Sequence, residues 1–396
     1  MSLDLTRVAA QVGAMMDSLK NTGAERRAHL DFALETLNNP DIDAEDLKKR
    51  IDTAKTTWLV AGLVEGLSKR YPAPPIPKDF TVMATDGSHI DVDRHRAARC
   101  YLINTGSVSL TYGSQPDAQL SSTPLLYADP KDMVITQPGG GREYLLDSNL
   151  LGIKRSVEEW RALTEMAKQQ QPGSTTLALI DGTLVQWGLE GYPDYVADVL
   201  LVKGFLQCLD TMKTLTADRT MLPASYISFP GSTEVVNALR VAVCPNDVVD
   251  CDKCPFETDK PCERVAGIRD RDIFFDLLAP GERSGIFISP SKITERYGQH
   301  RIYFFYVKTG EEIARIEVPR WVAENETLTG LAHGLTLDQC RKGHGYPVVL
   351  SEAHEQAVVT GADREYFWEL VESIMTDEKL STTGSAKSLS KRTRWL

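Results

Sequence analysis

The chain has 396 residues, of which 42% are hydrophobic and 25% are charged, and its formal net charge is −11 at pH 7. These proportions are typical of a globular protein with one large domain or two ordinary ones. The negative charge argues against a non-specific DNA coat, but not against an enzyme whose positive potential comes from a cleft or from metal ions. No apolar run is long enough to cross a bilayer, and the N-terminus has the pattern of an amphipathic helix. We therefore expect a cytoplasmic protein with no membrane partner.

Residues 1–78 are predicted to form an N-terminal helical region that ends in a proline-rich spacer. Apolar residues recur at helical spacing, and a long second helix is expected from residue 43 to about residue 70. Four prolines between residues 71 and 78 require an extended backbone there. Residues 79–378 are predicted to form the main domain, and residues 379–396 a basic flexible tail.

Strands and helices alternate through the predicted main domain. Strands are expected at 82–90, 99–110, 177–184, 224–229, 301–307 and 312–318, with the first two and the last two forming hairpins. Helices are expected at 142–171, 192–215, 321–341 and 363–378, with a further one beginning near Glu234, whereas 111–142 has a loop-like composition. The pattern favours an α/β fold with a mixed sheet flanked by helices. It is compatible with a ribonuclease H-like core, and with several other folds.

Two aspartates stand in matching settings. Asp86 and Asp181 each follow an apolar run and precede a glycine, in VMATDGSHI and LALIDGTL. An unpaired charge is costly to bury, so an acid at the end of a buried strand usually has a cation or a hydrogen-bond partner. The pair suggests a shared divalent metal site, where glycine lets a phosphate approach the backbone closely. Asp-Gly steps are also common as simple turns after strands.

Further candidate ligands come from two later segments. Hydrolysis of a phosphodiester by two metals needs carboxylates that hold cations roughly 3.5–4 Å apart. The helix at 142–171 offers Glu158 and Glu159, and Arg155 lies one turn before Glu159, although adjacent glutamates on a helix commonly face solvent. His354, eight residues after Tyr346, could bind a metal or protonate a leaving group. A core tyrosine and a surface histidine would explain the same spacing.

Six segments occur in the order found in NurA-type nucleases, and the ordered set resembles that family over roughly residues 80–375. The resemblance implies a ribonuclease H-like, Piwi-related core and manganese-dependent 5′→3′ exonuclease and endonuclease activity on DNA. It also implies a homodimer that acts with a HerA-type hexameric translocase in DNA end resection. The segments are ATDGSH at 84–89, KRSVEEW at 154–160, ALIDGTL at 178–184, SYISFPGSTEVVNALR at 225–240, YFFYVKTGEEIARIEVPRW at 303–321 and GYPVVLSEAHEQAV at 345–358.

The resemblance also assigns roles by position. It implies that Asp86 and Asp181 bind two manganese or magnesium ions, and that Glu159 is the helix acid because it follows a basic pair, with Glu158 as the alternative. Tyr346 and His354 match the late tyrosine and histidine of the family, with His354 as the expected metal ligand. Whether the setting is DNA repair or defence stays open. The competing hypotheses are an actin-like nucleotide-dependent phosphotransferase and a non-catalytic DNA-repair adaptor.

Four cysteines in residues 244–262 form a second candidate site. A C-x₂-C pair with one further cysteine on each side can complete a tetrahedral zinc site or hold an iron–sulfur cluster, and the spacing does not choose between them. The segment is interpreted as an insertion, so the family resemblance assigns it no purpose. The four residues are Cys244, Cys251, Cys254 and Cys262, whereas Cys100, Cys208 and Cys340 are expected in the core. The basic tail residues that could contact DNA phosphates are Lys387, Lys391, Arg392 and Arg394.

Overall fold

A computed structural model describes residues 4–93 and 95–381, and these residues fall into two compact units. The first unit contains the described chain up to Ala73 together with Ile227–Glu295 and Arg301–Glu317. The second unit contains Pro74–Tyr226, Arg296–His300 and the described chain from Val318 onward. The domain limits inferred from the sequence remain predictions. The basic tail residues Lys387, Lys391, Arg392 and Arg394 lie outside the described residues.

The helices and strands of the described residues follow one another in mixed order. The α-helices are α1 Leu5–Leu37, α2 Ala44–Thr53, α3 Ser148–Lys168, α4 Asp194–Ala197, α5 Gln207–Leu215, α6 Glu234–Ala242, α7 Asp270–Leu277, α8 Arg320–Ala323, α9 Glu326–Lys342, α10 Val348–Ala357 and α11 Gly361–Asp377, and a π-helix at Asp198–Leu206 joins α4 to α5. The strands are β1 Gly62–Leu63, β2 Arg70–Tyr71, β3 Phe80–Ile90, β4 Tyr101–Tyr112, β5 Asp117–Tyr127, β6 Val134–Thr136, β7 Glu143–Leu145, β8 Thr175–Asp181, β9 Thr220–Ser228, β10 Arg283–Ser284, β11 Phe287–Ile288, β12 Ile302–Lys308 and β13 Ile313–Pro319.

The first unit packs α1, α2, α6 and α7 around a core that includes Leu47, Val235 and Phe274. The helix predicted from residue 43 to about residue 70 is wrong beyond Thr53, where α2 ends. The backbone of Lys55 instead bonds to a distant segment, because its N–H donates to Val249 O at 2.8 Å and its C=O accepts from Cys251 N at 2.9 Å. These bonds use the groups that a continuing helix would need. The predicted strand pair near residues 301–318 is confirmed as the neighbours β12 and β13.

The second unit is built on a mixed sheet. Its strands lie in the order β5, β4, β3, β8, β9, with the β3–β4 and β4–β5 pairs antiparallel and the β3–β8 and β8–β9 pairs parallel. The mixed sheet flanked by helices confirms the predicted α/β class. Among the described residues, no helix combines the length and apolar character needed to span a membrane.

The expectation of a loop-rich stretch at 111–142 is wrong, because β5 occupies Asp117–Tyr127. This strand forms one edge of the sheet in the second unit, and its residues are exposed from Asp117 to Leu126. A strand that buries neither face lacks the alternation of apolar and polar residues by which strands are recognised. Pro124 fits the same position, since an edge strand has backbone groups that need no partner strand.

Candidate active site

Asp86 and Asp181 lie beside each other on neighbouring parallel strands. The β3–β8 pairing ends with Thr85 opposite Ile180, and each aspartate is the next residue on its strand. Asp181 is the last residue of β8, as the sequence indicated. The strand predicted at 82–90 is confirmed as β3. Asp86 therefore lies inside its strand and not at the strand end, because β3 continues to Ile90 through its pairing with β4. The two carboxylates therefore meet where β8 stops and β3 continues.

Glu159 reaches the same place from α3. The Thr85 hydroxyl donates to Glu159 O at 2.9 Å and ties the helix to β3. Side chains alternate along a strand, so Thr85 and Gly87 face the same helix. A Cβ on Gly87 would lie 2.5 Å from Glu159 Oε1 and 2.9 Å from Arg155 Cγ. Glycine at this position is what lets the Glu159 side chain lie against the strand.

Glu159 is a buried acid with a raised pKa. Its residue is 6% exposed, and its Oε1 pairs with Arg155 Nε at 3.0 Å. The pKa of Glu159 is raised from 4.5 to about 7, mainly by burial and also by the charges of Asp86 and Asp181, whereas Arg155 opposes the rise. Glu158 instead pairs with Arg161 Nη1 at 2.8 Å. The structure thus gathers Glu159, rather than Glu158, with the two aspartates.

The opposite face of β3 is covered by α10. Gly106 is directly opposite Asp86 on β4, and a Cβ there would overlap the α10 backbone at Ala353 O and Ala357 N. The absence of a side chain at Gly106 lets α10 approach the sheet closely. His354 Nδ1 consequently lies 2.8 Å from Asp86 Oδ2, on a side chain that is 65% exposed. The other carboxyl oxygen of Asp86 accepts from the Gly87 N–H at 2.8 Å.

Tyr346, just before α10, is the partner of Asp181. Its hydroxyl donates to the Asp181 carboxylate, and its ring meets the Tyr226 ring edge-on at 5.4 Å. Loss of solvent raises the pKa of Asp181, and the charge of Asp86 adds to the rise, whereas the Tyr346 hydrogen bond and the Gly182 N–H lower it. Burial and the charge of Asp181 raise the pKa of Tyr346 far above its ordinary value. The hydroxyl therefore stays protonated and remains a donor.

All five residues singled out in the sequence thus lie in one place in the second unit: Asp86, Glu159, Asp181, Tyr346 and His354. The donor chemistry fits divalent manganese or magnesium, since hard cations prefer carboxylate oxygen. The charges of Asp86 and Asp181 contribute to the raised pKa of Glu159, and the charge of Asp86 contributes to that of Asp181, as expected of carboxylates gathered at one place. Within the described residues, however, no three His, Cys, Asp or Glu side chains are already arranged as ligands of one ion.

Gly106 is the important residue that the sequence analysis missed. It lies inside β4, in the stretch INTGSVSL, where glycine weakens a strand and has no side chain to pack. A glycine inside a strand often indicates that another backbone approaches closely, and this signal could have pointed to α10. The helix that carries His354, α10, is likewise absent from the elements predicted from the sequence.

Cys100, Cys208 and Cys340 are buried, as predicted, whereas the four cysteines of residues 244–262 are half-buried. This second group lies in the first unit, after α6.

Comparison with known proteins gives one family. The NurA domain profile matches residues 80–359, which is well over half of the chain and includes every residue of the acid cluster. The NurA nuclease from Sulfolobus solfataricus is a similar solved structure, with a TM-score of 0.46 and 12% identity over 93% of this chain and 98% of that one. No relative was found among curated protein sequences. On the family match, the chain belongs to the NurA domain family.

Proposed function

We propose that the chain is a metal-dependent DNA nuclease that hydrolyses phosphodiester bonds. One observation carries the proposal: Asp86, Asp181 and Glu159 meet beside the end of β8, with Tyr346 and His354 against them. Membership of the NurA domain family supports the same activity. A cluster of acids with two positioned proton donors is the chemistry that phosphodiester hydrolysis requires.

The acids would hold two divalent ions, manganese or magnesium, with His354 as a further ligand. Bound ions supply the positive charge that stabilises the attacking and leaving oxygens of the phosphate. The raised pKa of Glu159 supports this assignment, because Arg155 alone does not offset the burial of the carboxyl and the charges of the two aspartates, and a divalent ion would add the missing positive charge. Oxygen donors also favour these ions over soft metals.

The neighbours of the acids fix their orientation. The Nδ1–H of His354 donates to Asp86 Oδ2, which leaves Nε2 as the ring nitrogen that could bind a metal. The Tyr346 hydroxyl holds the Asp181 carboxylate, and Arg155 holds that of Glu159. These contacts restrict the side chains of the acids, which would limit the reordering that metal and substrate binding require.

The finer parts of the proposal follow the resemblance. We propose 5′→3′ exonuclease and endonuclease activity, a homodimer, and joint action with a HerA-type hexameric translocase in DNA end processing, in either repair or defence. Linear DNA labelled at either end would report the polarity, because 5′→3′ digestion releases the 5′ label first. Sedimentation would report the dimer. Faster digestion when the translocase and ATP are added would support the partnership.

The central test compares two adjacent glutamates. Linear DNA is incubated with manganese and with wild-type protein, Glu159→Gln or Glu158→Gln. We expect Glu159→Gln to lose cleavage by at least about 100-fold, roughly the size of a lost charged contact in a reaction site, and Glu158→Gln to cleave normally. Equal cleavage by both variants would reject the assignment of Glu159.

Two other outcomes would replace the nuclease hypothesis. Nucleotide binding by the isolated protein, with DNA left intact, would favour a phosphotransferase. Normal complementation in cells by a variant with alanine at both Asp86 and Asp181 would favour a non-catalytic adaptor.

A further inference from the structure

The segment 244–262, called the cysteine segment below, has almost no hydrophobic core of its own. The structure describes it throughout, and Val249 is its only buried residue, while Val248 is 65% exposed. Its only regular structure is a short 3₁₀ turn at Cys251–Lys253 and the start of another at Pro261–Val265. Such a segment buries too little apolar surface to offset the entropy of ordering, so it requires a cross-link or a metal to hold one conformation.

The beginning of the cysteine segment is fastened to α2 and the residues after it. Arg50 Nη2 donates to Cys244 O at 2.6 Å. The N–H of Cys251 donates to Lys55 O at 2.9 Å. Arg240 stacks over the Trp58 ring, with its Cζ 4.2 Å from the ring centre. The backbones of Cys244 and Cys251 are therefore both hydrogen-bonded to residues at or just after the end of α2.

The other end is fastened to α1. Just past the cysteine segment, Arg264 Cζ lies 3.5 Å from the centre of the Phe32 ring. The Nδ1 of His29 donates to Ala266 O at 2.7 Å. Cys254 and Cys262 lie between these two attachments, one at the end of the first turn and one at the start of the second. The segment that carries the four cysteines is thus attached to α2 and the residues after it at its beginning, and to α1 just past its end.

Cys251 is the common neighbour of the thiols in the cysteine segment. It interacts electrostatically with Cys244, Cys254 and Cys262. All four are half-buried, unlike the three buried core cysteines of the chain. Within the described residues, no three of these thiols are arranged as the ligands of one ion. Three thiols consequently lie near Cys251, and the four have no other assigned role.

We propose that the four cysteines of the segment bind one structural zinc ion and so fix the segment against α1 and α2. Each thiol gives up its proton on binding, and four thiolates complete a tetrahedral shell. With no open coordination position, the ion has a structural role. We choose zinc because its shell is complete without inorganic sulfide. The inference is independent of the proposed nuclease activity, since the acid cluster lies in the second unit.

The first test is elemental analysis of the full-length protein, with iron and acid-labile sulfide measured in the same samples. We expect about one zinc ion per chain, retained in Asp86→Asn, lost in Cys254→Ser and retained in the control Cys208→Ala. Absence of zinc would overturn the proposal. Iron with sulfide would overturn it in favour of a cluster, and zinc that persists in Cys254→Ser would place the ion elsewhere.

A second measurement uses wild-type protein alone, in case Cys254→Ser fails to fold. Titration with a thiol-reactive mercurial should release the zinc as the four thiols of the segment react. Removing zinc with a chelator should open residues 244–262 to limited proteolysis, and added zinc should restore protection. Proteolysis that is unchanged by zinc removal would refute the role in fixing the segment.

Discussion

The buried acid Glu159 gives a quantitative prediction for the metal-free protein. Folding raises its pKa from 4.5 to about 7, so between these values the folded state holds a proton that the unfolded state releases. The free energy of unfolding should therefore fall as the pH rises through this window. The loss should reach its full size above the pKa of the folded state. At about 1.4 kcal/mol per pH unit, the rise from 4.5 to about 7 corresponds to about 3 kcal/mol.

The replacement Glu159→Gln removes this titration while keeping the shape of the side chain. We expect the variant to gain about 3 kcal/mol relative to wild type between about pH 4.5 and about pH 7. The assay is urea denaturation followed by tryptophan fluorescence, in buffers that contain a metal chelator. Glu158→Gln is the matched control, because Glu158 pairs with Arg161 and its replacement leaves Glu159 in place, so the fall in stability between about pH 4.5 and about pH 7 should remain.

Parallel stability curves for wild type and Glu159→Gln across this range would refute the reasoning. Such a result would mean that Arg155, which opposes the rise in pKa, keeps the carboxylate charged throughout. Added manganese should flatten the wild-type curve, because a cation beside Glu159 favours the charged form of the carboxyl. Manganese should leave the curve of Glu159→Gln nearly unchanged.

Three further changes test the geometry of the cluster. Gly87→Ala should reduce DNA cleavage by at least about tenfold, because its Cβ would lie 2.5 Å from Glu159 Oε1 and displace that carboxyl. Gly106→Ala should lower the free energy of unfolding by about 1–3 kcal/mol, measured by denaturation, because it pushes α10 off the sheet. Tyr346→Phe should raise the pKa of Asp181 by removing a hydrogen bond to the carboxylate, so the acid limb of the pH–rate profile should move to higher pH.

Gly152→Ala is the control for both glycine replacements. Gly152 lies in α3, and nothing is found within 4 Å of the Cβ that the change would add. Alanine should stabilise that helix slightly and leave cleavage unchanged. Equal effects at positions 87, 106 and 152 would contradict the steric argument. An unmoved acid limb in Tyr346→Phe would contradict the role given to that hydroxyl.

Several elements of the fold could be predicted from local patterns in the sequence. The apolar run before Asp181 predicted a buried strand, and β8 follows it because such a run buries both faces of a strand. The β3–β4 hairpin and the order of the helices after it could also be predicted. Burial of one face makes apolar residues recur with the period of the helix or strand. Edge strand β5 could not be predicted, because it buries neither face and so shows no alternation of apolar and polar residues.

The side chains that meet at the acid cluster could not be predicted in this way, because their contacts depend on how distant elements pack. His354 and Asp86 are 268 residues apart, and their contact depends on the absence of a side chain at Gly106 under α10. Glu159 and Glu158 are adjacent and chemically identical, and only the packing of α3 on β3 turns one of them toward the aspartates. Local preference sets each strand and helix, but the contacts between them come from close packing of distant surfaces, which no short stretch of sequence contains.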